Sequence, residues 1–211
     1  MIVTTDWSAK SAEAEIPQNY TLRMGTEEQA SSGIINTFKT LLPQGSYELT
    51  AYNTPEHIGI SGNTATVGES EPGYMEPMPG YLFSAHQTID VMADDTLKVT
   101  VPVKQLVRLL NVELTVTEGD YNRVQSATAT LDGVASRIDI VTGERTTAAK
   151  SLNTLVQNGN KFTTSFRLLG IIPTASQKLT VSILFTNGDT QQIESNISDT
   201  VSYTHLTLPT I

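Results

Sequence analysis

Side chains able to do chemistry are few in this sequence and poorly grouped. There are three histidines and no cysteine, which excludes thiolate nucleophiles, disulfides and cysteine zinc sites. His57 closes the stretch Asn53-Thr54-Pro55-Glu56-His57, a turn in which an adjacent carboxylate and imidazole rarely share a ligand. His86 stands in a strand-like run, where a core or surface histidine is the ordinary reading. The acid pairs Glu69/Glu71 and Asp94/Asp95 invite comparison with glycoside hydrolysis, which needs two carboxylates at a defined separation. Both pairs fall in turns, the usual place for solvated acids. No His-Glu-x-x-His, Gly-x-Ser-x-Gly, calcium loop or glycine-rich phosphate cradle occurs. The expectation is therefore a protein with no catalytic residue, no metal and no cofactor. What remains is a contact surface. Gly68–Gly80 holds three prolines and three glycines, which bars it from a central strand and predicts a projecting loop. Tyr74, Met75, Met78 and the following Tyr81 carry aromatic and thioether groups typical of recognition surfaces. The alternative is that they fold back as a lid over the end of a sandwich.

The elements that must hold this loop are strands. Leu97, Val99, Val101 and Val103 alternate with polar residues, and so do Val112, Leu114 and Val116. Phe162, Thr164, Phe166 and Leu168 form a third series; Leu179, Val181, Ile183 and Phe185 form a fourth. Period-2 alternation of this kind predicts half-buried antiparallel strands. Asn187-Gly188 after the fourth series predicts a type I′ hairpin turn into 191–195. In the first half, strands are expected at 2–7, 20–24, 34–41, 46–52, 64–67 and 81–92. Segments 105–110 and 146–155 hold at most a short helical turn. Thirty-one threonines fit pleated surfaces, where a β-branched side chain packs well. The fold class is all-β, in sandwich form. A polar break at Ala93-Asp94-Asp95-Thr96 divides it into an N-terminal domain, 1–93, and a C-terminal domain, 94–200.

Lys and Arg number 13 against 22 Asp and Glu, for a net charge of −9. That balance argues against nucleic acid, which calls for a basic face. No apolar run approaches the roughly 18–20 residues of a membrane helix. The ends of the sequence differ from the middle. Val201 to Thr210 resemble, residue for residue, the in-frame translation of a transposase sequencing adapter, so 201–211 are set aside as non-native. The second domain is then expected to be C-terminally incomplete. Met1 opens directly on a strand without the charged and apolar regions of a signal peptide, and an internal start is expected.

Several stretches in order carry a family resemblance: Val3-Thr-Thr-Asp-Trp-Ser8, Leu42-Pro-Gln-Gly-Ser-Tyr-Glu-Leu-Thr-Ala-Tyr-Asn53, Val101-Pro-Val-Lys-Gln-Leu-Val-Arg108, Ala127-Thr-Ala-Thr-Leu-Asp-Gly-Val-Ala135 and Phe166-Arg-Leu-Leu-Gly170. Over most of residues 3–199 this succession resembles the FimB/Mfa-type fimbrial anchor subunits of Bacteroidales and their lipoprotein relatives. The resemblance implies two tandem transthyretin-like sandwiches and a cell-surface location. It also implies attachment to the outer membrane through a lipidated N-terminal cysteine, absent from this sequence, and assembly with other fimbrial subunits. Asp95-Thr96-Leu97 resembles the O-glycan acceptor of exported Bacteroidetes proteins. The function so implied is a non-enzymatic anchor or accessory subunit that pairs strands with its neighbours and supports adhesion. The rival is a glycan-binding surface lipoprotein, in which Tyr74 and Tyr81 would stack on sugar rings.

Overall fold

The computed structural model describes residues 1–92 and 96–197, together with the backbone of 205–207. Among the described residues there is no α-helix; strands and turns account for the chain, with one 3₁₀ turn at Tyr121–Arg123. Asp94, Asp95 and most of the adapter-like tail lie outside the described residues, as does part of the expected break at 93–96. The chain forms two compact units that interleave in sequence. One comprises 1–65, 81–106 and 139–144; the other comprises 66–80, 107–138 and 145–211. The division does not run through 93/94. Strand Lys98–Pro102 belongs to the first unit because it pairs with the opening strand.

In the first unit, Ile2–Asp6 lies between Lys98–Pro102 and Ile35–Thr37. Its pairing with Lys98–Pro102 is parallel, Ile2 opposite Lys98 and Asp6 opposite Pro102, which corrects the antiparallel expectation for that strand. A second sheet runs Lys104–Gln105, Phe83–Val91, Gly45–Tyr52, Tyr20–Met24, Glu27–Ser31. Val3, Val99 and Val101 of the first sheet share a buried cluster with Leu22, Leu49 and Ala85 of the second. Trp7 organises this core. Its ring meets Tyr20 and Phe83 edge-on, with centroids 5.8 and 5.4 Å away, the geometry that the ring quadrupoles favour. Its Nε1 donates to Thr5 Oγ1 at 2.9 Å, so burying the indole leaves no orphan donor.

In the second unit, one sheet runs Val156–Asn158, Lys161–Leu168, Arg108–Thr115, His205–Thr207. The main path of the other runs Thr190–Asn196, Lys178–Phe185, Val124–Asp139, Arg145–Thr154, Tyr74–Met75, Glu69–Glu71. Val112, Leu114, Phe162 and Phe166 of the first are buried, as are Ala129, Leu131, Leu179 and Val181 of the second. Segments 105–110 and 146–155, expected to hold at most a short helical turn, are strand for most of their length. Ladder pairing, with Phe83 and 166–168 for the first segment and with 128–137 for the second, decides their conformation where periodicity does not. The 16-residue strand Val124–Asp139 carries a bulge between Asp132 and Val134, which resets the in/out phase of its side chains. Gly133 sits at φ +75°, and a Cβ there would lie 2.3 Å from the Ser176 carbonyl oxygen. Glycine is required there on both counts.

The Asn187-Gly188 hairpin exists, with a turn different from the one expected. Gly188 has φ +88° while Asn187 stays at negative φ, and Gly188 N donates to the Phe185 carbonyl at 2.9 Å. This is a three-residue loop, a type I turn closed by a left-handed glycine, and not type I′. Asp189 supplies the reason. Its backbone N donates to Asn187 Oδ1 and its Oδ2 accepts from Asn187 Nδ2, and these bonds hold the asparagine out of the left-handed region.

Candidate functional site

The tyrosine–methionine segment is no projecting loop. Tyr74–Met75 forms a short strand between Arg145–Thr154 and Glu69–Glu71, with Lys150 opposite Tyr74 and Ser151 opposite Met75. Glu76 N donates to the Gly68 carbonyl, and Arg167 N donates to the Pro77 carbonyl, both at 2.8 Å. Ser151 Oγ donates to the Met75 carbonyl at 3.3 Å. The prolines are accommodated because they fall beside the strand residues and not among them. Met75 is buried, while Tyr74, Met78 and Tyr81 are half-buried. Tyr74, Met75 and Met78 belong to the second unit. Tyr81 packs on the core of the first, where its carbonyl accepts Asn53 Nδ2 at 2.9 Å.

The remaining chemical groups are held in ordinary surface pairs. His57 approaches its neighbour Glu56 at 3.4 Å in an exposed turn. Glu69 and Glu71 are exposed on an edge strand. His86 Nε2 meets Glu48 at 2.8 Å, and its Nδ1 meets Thr50 Oγ1 at 3.2 Å. Cross-strand register brings them together: Thr50 is opposite His86 and Arg23 is opposite Thr50. Together with Thr88 and Asn63 they line a depression of about 580 Å³. Arg23 stacks over the Tyr52 ring, 5.4 Å from its centroid, and its guanidinium donates to the Gly62 carbonyl and to Asn63 Oδ1. Each polar group there is occupied by another. Nearby, partial burial disfavours the Asp139 carboxylate, but the backbone N–H groups of Thr142 and Val141 hold it below its ordinary value. Among the described residues no group of three or more His, Asp or Glu is placed to hold a metal ion.

A feature that composition and spacing did not single out is a sheet edge. Ile35–Thr37 closes the first sheet of the first unit on one side. Thr5 N donates to the Ile34 carbonyl and Phe38 N to the Met1 carbonyl, both at 2.9 Å. In an antiparallel ladder the bonded pairs recur every second residue. Asn36 therefore bonds inward to Val3, while Ile35 and Thr37 turn their backbone groups outward. Gln29 caps part of that edge with its side-chain amide, Nε2 to the Thr37 carbonyl at 3.0 Å and Oε1 from Lys39 N at 2.8 Å. Ile34, Ile35 and Leu41 along the same stretch are 52%, 69% and 95% exposed. A second edge, that of Arg108–Thr115, carries His205–Thr207 in parallel, with Leu206 opposite Val112.

The family is decided by sequence. The profile of the family described as "Fimbrillin-A associated anchor proteins Mfa1 and Mfa2" matches residues 11–209. The chain belongs to this family. Membership places it in a structural family of fimbrial anchors with a cell-surface, adhesion-related role. The fold agrees with solved structures at low identity. A candidate adhesin of Bacteroides ovatus superposes with a TM-score of 0.75 at 14% identity, covering 95% of this chain and 83% of that one. The fimbrial anchor protein Mfa2 of Porphyromonas gingivalis superposes with a TM-score of 0.61 at 10% identity, covering 94% and 82%. A candidate polysaccharide-binding protein of Bacteroides thetaiotaomicron gives 0.65 at 9%, covering 93% and 79%. No curated protein matches the chain by sequence. Among the described residues no helix is long and apolar enough to cross a membrane.

Proposed function

We propose that the protein is a non-enzymatic fimbrial anchor or accessory subunit that joins other fimbrial subunits by β-strand pairing and so supports adhesion. The observation that carries this reading is the edge at Ile35–Thr37. An edge strand with outward backbone groups and exposed isoleucines is a template for another strand, and soluble proteins ordinarily blunt such edges with charge. Here Ile34, Ile35 and Leu41 along the stretch are exposed, and beside exposed Lys39 the edge is blunted by the Gln29 amide. A partner strand would bond to Ile35 through the main chain and bury its side chain, the division of labour typical of strand addition. Two tandem transthyretin-like sandwiches and attachment to the outer membrane through a lipidated cysteine belong to the same reading. The sequence holds no cysteine, so the lipid rests on family resemblance alone.

The test places a photo-crosslinking amino acid at Ile35 in cells that express fimbrial subunits, with a control at exposed Thr190 on a different edge. A cross-link from position 35 to a β-strand of a fimbrial subunit, absent from position 190, is the expected result. Cross-linking at neither position would overturn the reading.

A further inference from the structure

The end of the second unit holds a cleft that the assembly reading does not use. It has a volume of about 240 Å³, room for one side chain and not for a chain. Its apolar wall comes from Val116, Ile183 and Phe185, with Tyr121, 36% exposed, beside them. Glu118, Asp120 and Asp189 line it with carboxylates, against the single cation Arg123.

The walls are fixed before any ligand arrives. Thr186 N donates to the Arg123 carbonyl at 2.8 Å, tying the 3₁₀ turn Tyr121–Arg123 to the hairpin 185–189. Phe185 N donates to the Asp189 carbonyl and Val116 N to the Asn160 carbonyl, both at 2.9 Å. Asp120 uses only Oδ1, which accepts from Asn122 N and Nδ2. Asp189 uses only Oδ2, which accepts from Asn187 Nδ2. Among the described residues none of the three acids forms an ion pair. An apolar slot with an aromatic ring and carboxylates that carry no ion pair is complementary to an aliphatic stem that ends in a cation.

We propose that this cleft receives a lysine or arginine side chain presented by a partner polypeptide. The net charge of −9 draws basic segments toward the surface before contact. A preformed slot spares the ordering cost that a mobile loop would incur on binding. Neutral sugars share the aromatic requirement and can donate hydroxyls to the carboxylates, but they bring no charge to offset three of them, so a glycan is the weaker fit.

The experiment is an amide chemical-shift titration of the full chain with acetyl-Gly-Lys-Gly-amide. The same peptide with Gln in place of Lys and a set of free hexoses serve as comparisons. The lysine peptide should shift residues 118–123 and 185–189 and bind at least about fivefold tighter than the glutamine peptide, with the gap closing at high salt. Tyr121→Ala should weaken binding about tenfold, and Tyr121→Phe by no more than about twofold. Glu118→Gln and Asp189→Asn should each weaken it about threefold. Glu118→Gln removes no packing, so it stays informative if Tyr121→Ala fails to fold. Equal affinity for the two peptides, shifts produced by a hexose alone, or no shift with the lysine peptide would overturn the proposal.

Discussion

Proline substitution at neighbouring positions of one edge strand separates folding from assembly. The ladder phase fixed by the Thr5–Ile34 and Phe38–Met1 bonds turns the Ile35 N–H outward and the Asn36 N–H inward. Ile35→Pro removes a donor that no strand among the described residues uses, and proline is tolerated on the outer side of an edge. Its cost to folding should stay within about 1 kcal/mol. Asn36→Pro removes a ladder bond to Val3, which is fully buried, and leaves that carbonyl without a donor, at about 1–3 kcal/mol. It also removes the bond from Asn36 Nδ2 to Tyr20 Oη at 2.6 Å, which adds about 1 kcal/mol. The expected total is about 2–4 kcal/mol, read from urea unfolding. Assembly should respond in the opposite order. Partner pairing at Ile35 offers one main-chain bond, worth about 1 kcal/mol, and burial of a side chain now 69% exposed, worth about 1–2 kcal/mol. Ile35→Pro should therefore stay folded while co-purification with fimbrial subunits falls at least about thirtyfold. A folded Ile35→Pro that is captured as well as the parent would refute the edge as the pairing site. An Ile35→Pro as unstable as Asn36→Pro would refute the ladder phase.

Gln29→Ala uncaps the Thr37 carbonyl and the Lys39 N–H, so strand capture at this edge or concentration-dependent self-association should rise, as seen by light scattering. Gly133→Ala must add a Cβ 2.3 Å from the Ser176 carbonyl oxygen at positive φ, and should cost about 2–4 kcal/mol in urea unfolding. Gly25→Ala, with positive φ but open space around it, should cost only about 1 kcal/mol. Burial raises the Tyr20 hydroxyl above its ordinary value although Thr5 opposes the shift, and burial with Glu28 raises Tyr52. Groups raised in the folded state stabilise it below the unfolded value near pH 10, and that contribution is lost as pH climbs through the folded values. Stability should therefore fall on the alkaline side, with two phenolates appearing late in a titration followed by ultraviolet absorbance. Early, uniform ionisation of all seven tyrosines would contradict this.

How far the fold could be read in advance depended on side-chain contrast. Strands with large apolar residues at alternate positions, such as Phe162 to Leu168 and Leu179 to Phe185, could be placed to within a residue or two. Val124–Asp139 could not, since its inward residues begin with Ala127 and Ala129, too small to stand out, and the bulge at Gly133 breaks the period. Arg145–Thr154 buries only Ser151, with Ala149, Leu152 and Asn153 half-buried, and owes its conformation to strands on both sides. The parallel pairing of Lys98–Pro102 with the opening strand joins residues nearly a hundred positions apart, and alternation carries no information about which strand lies alongside. The contact segment has the residue types of a recognition surface, yet Met75 is buried in the interior of its own unit. Proline and glycine there mark where a strand must stop, which differs from marking a loop that leaves the surface.

The edge at Ile35–Thr37 is not legible in the sequence for a related reason. Isoleucines at 34 and 35 count toward a core in any scheme based on composition, and their exposure belongs to the fold alone. Gln29 gives that exposure a meaning. Its amide offers a donor and an acceptor, as a peptide group does, and it satisfies the Thr37 carbonyl and the Lys39 N–H together. A side chain of this kind blunts the edge without the charge that would make pairing permanently unfavourable. An incoming strand replaces two hydrogen bonds with two of the same type, a nearly balanced exchange. The net gain then comes from Ile35 and Leu41 leaving water. Under the proposed function, such an edge would resist self-pairing in the free protein and yield to a partner able to cover both side chains.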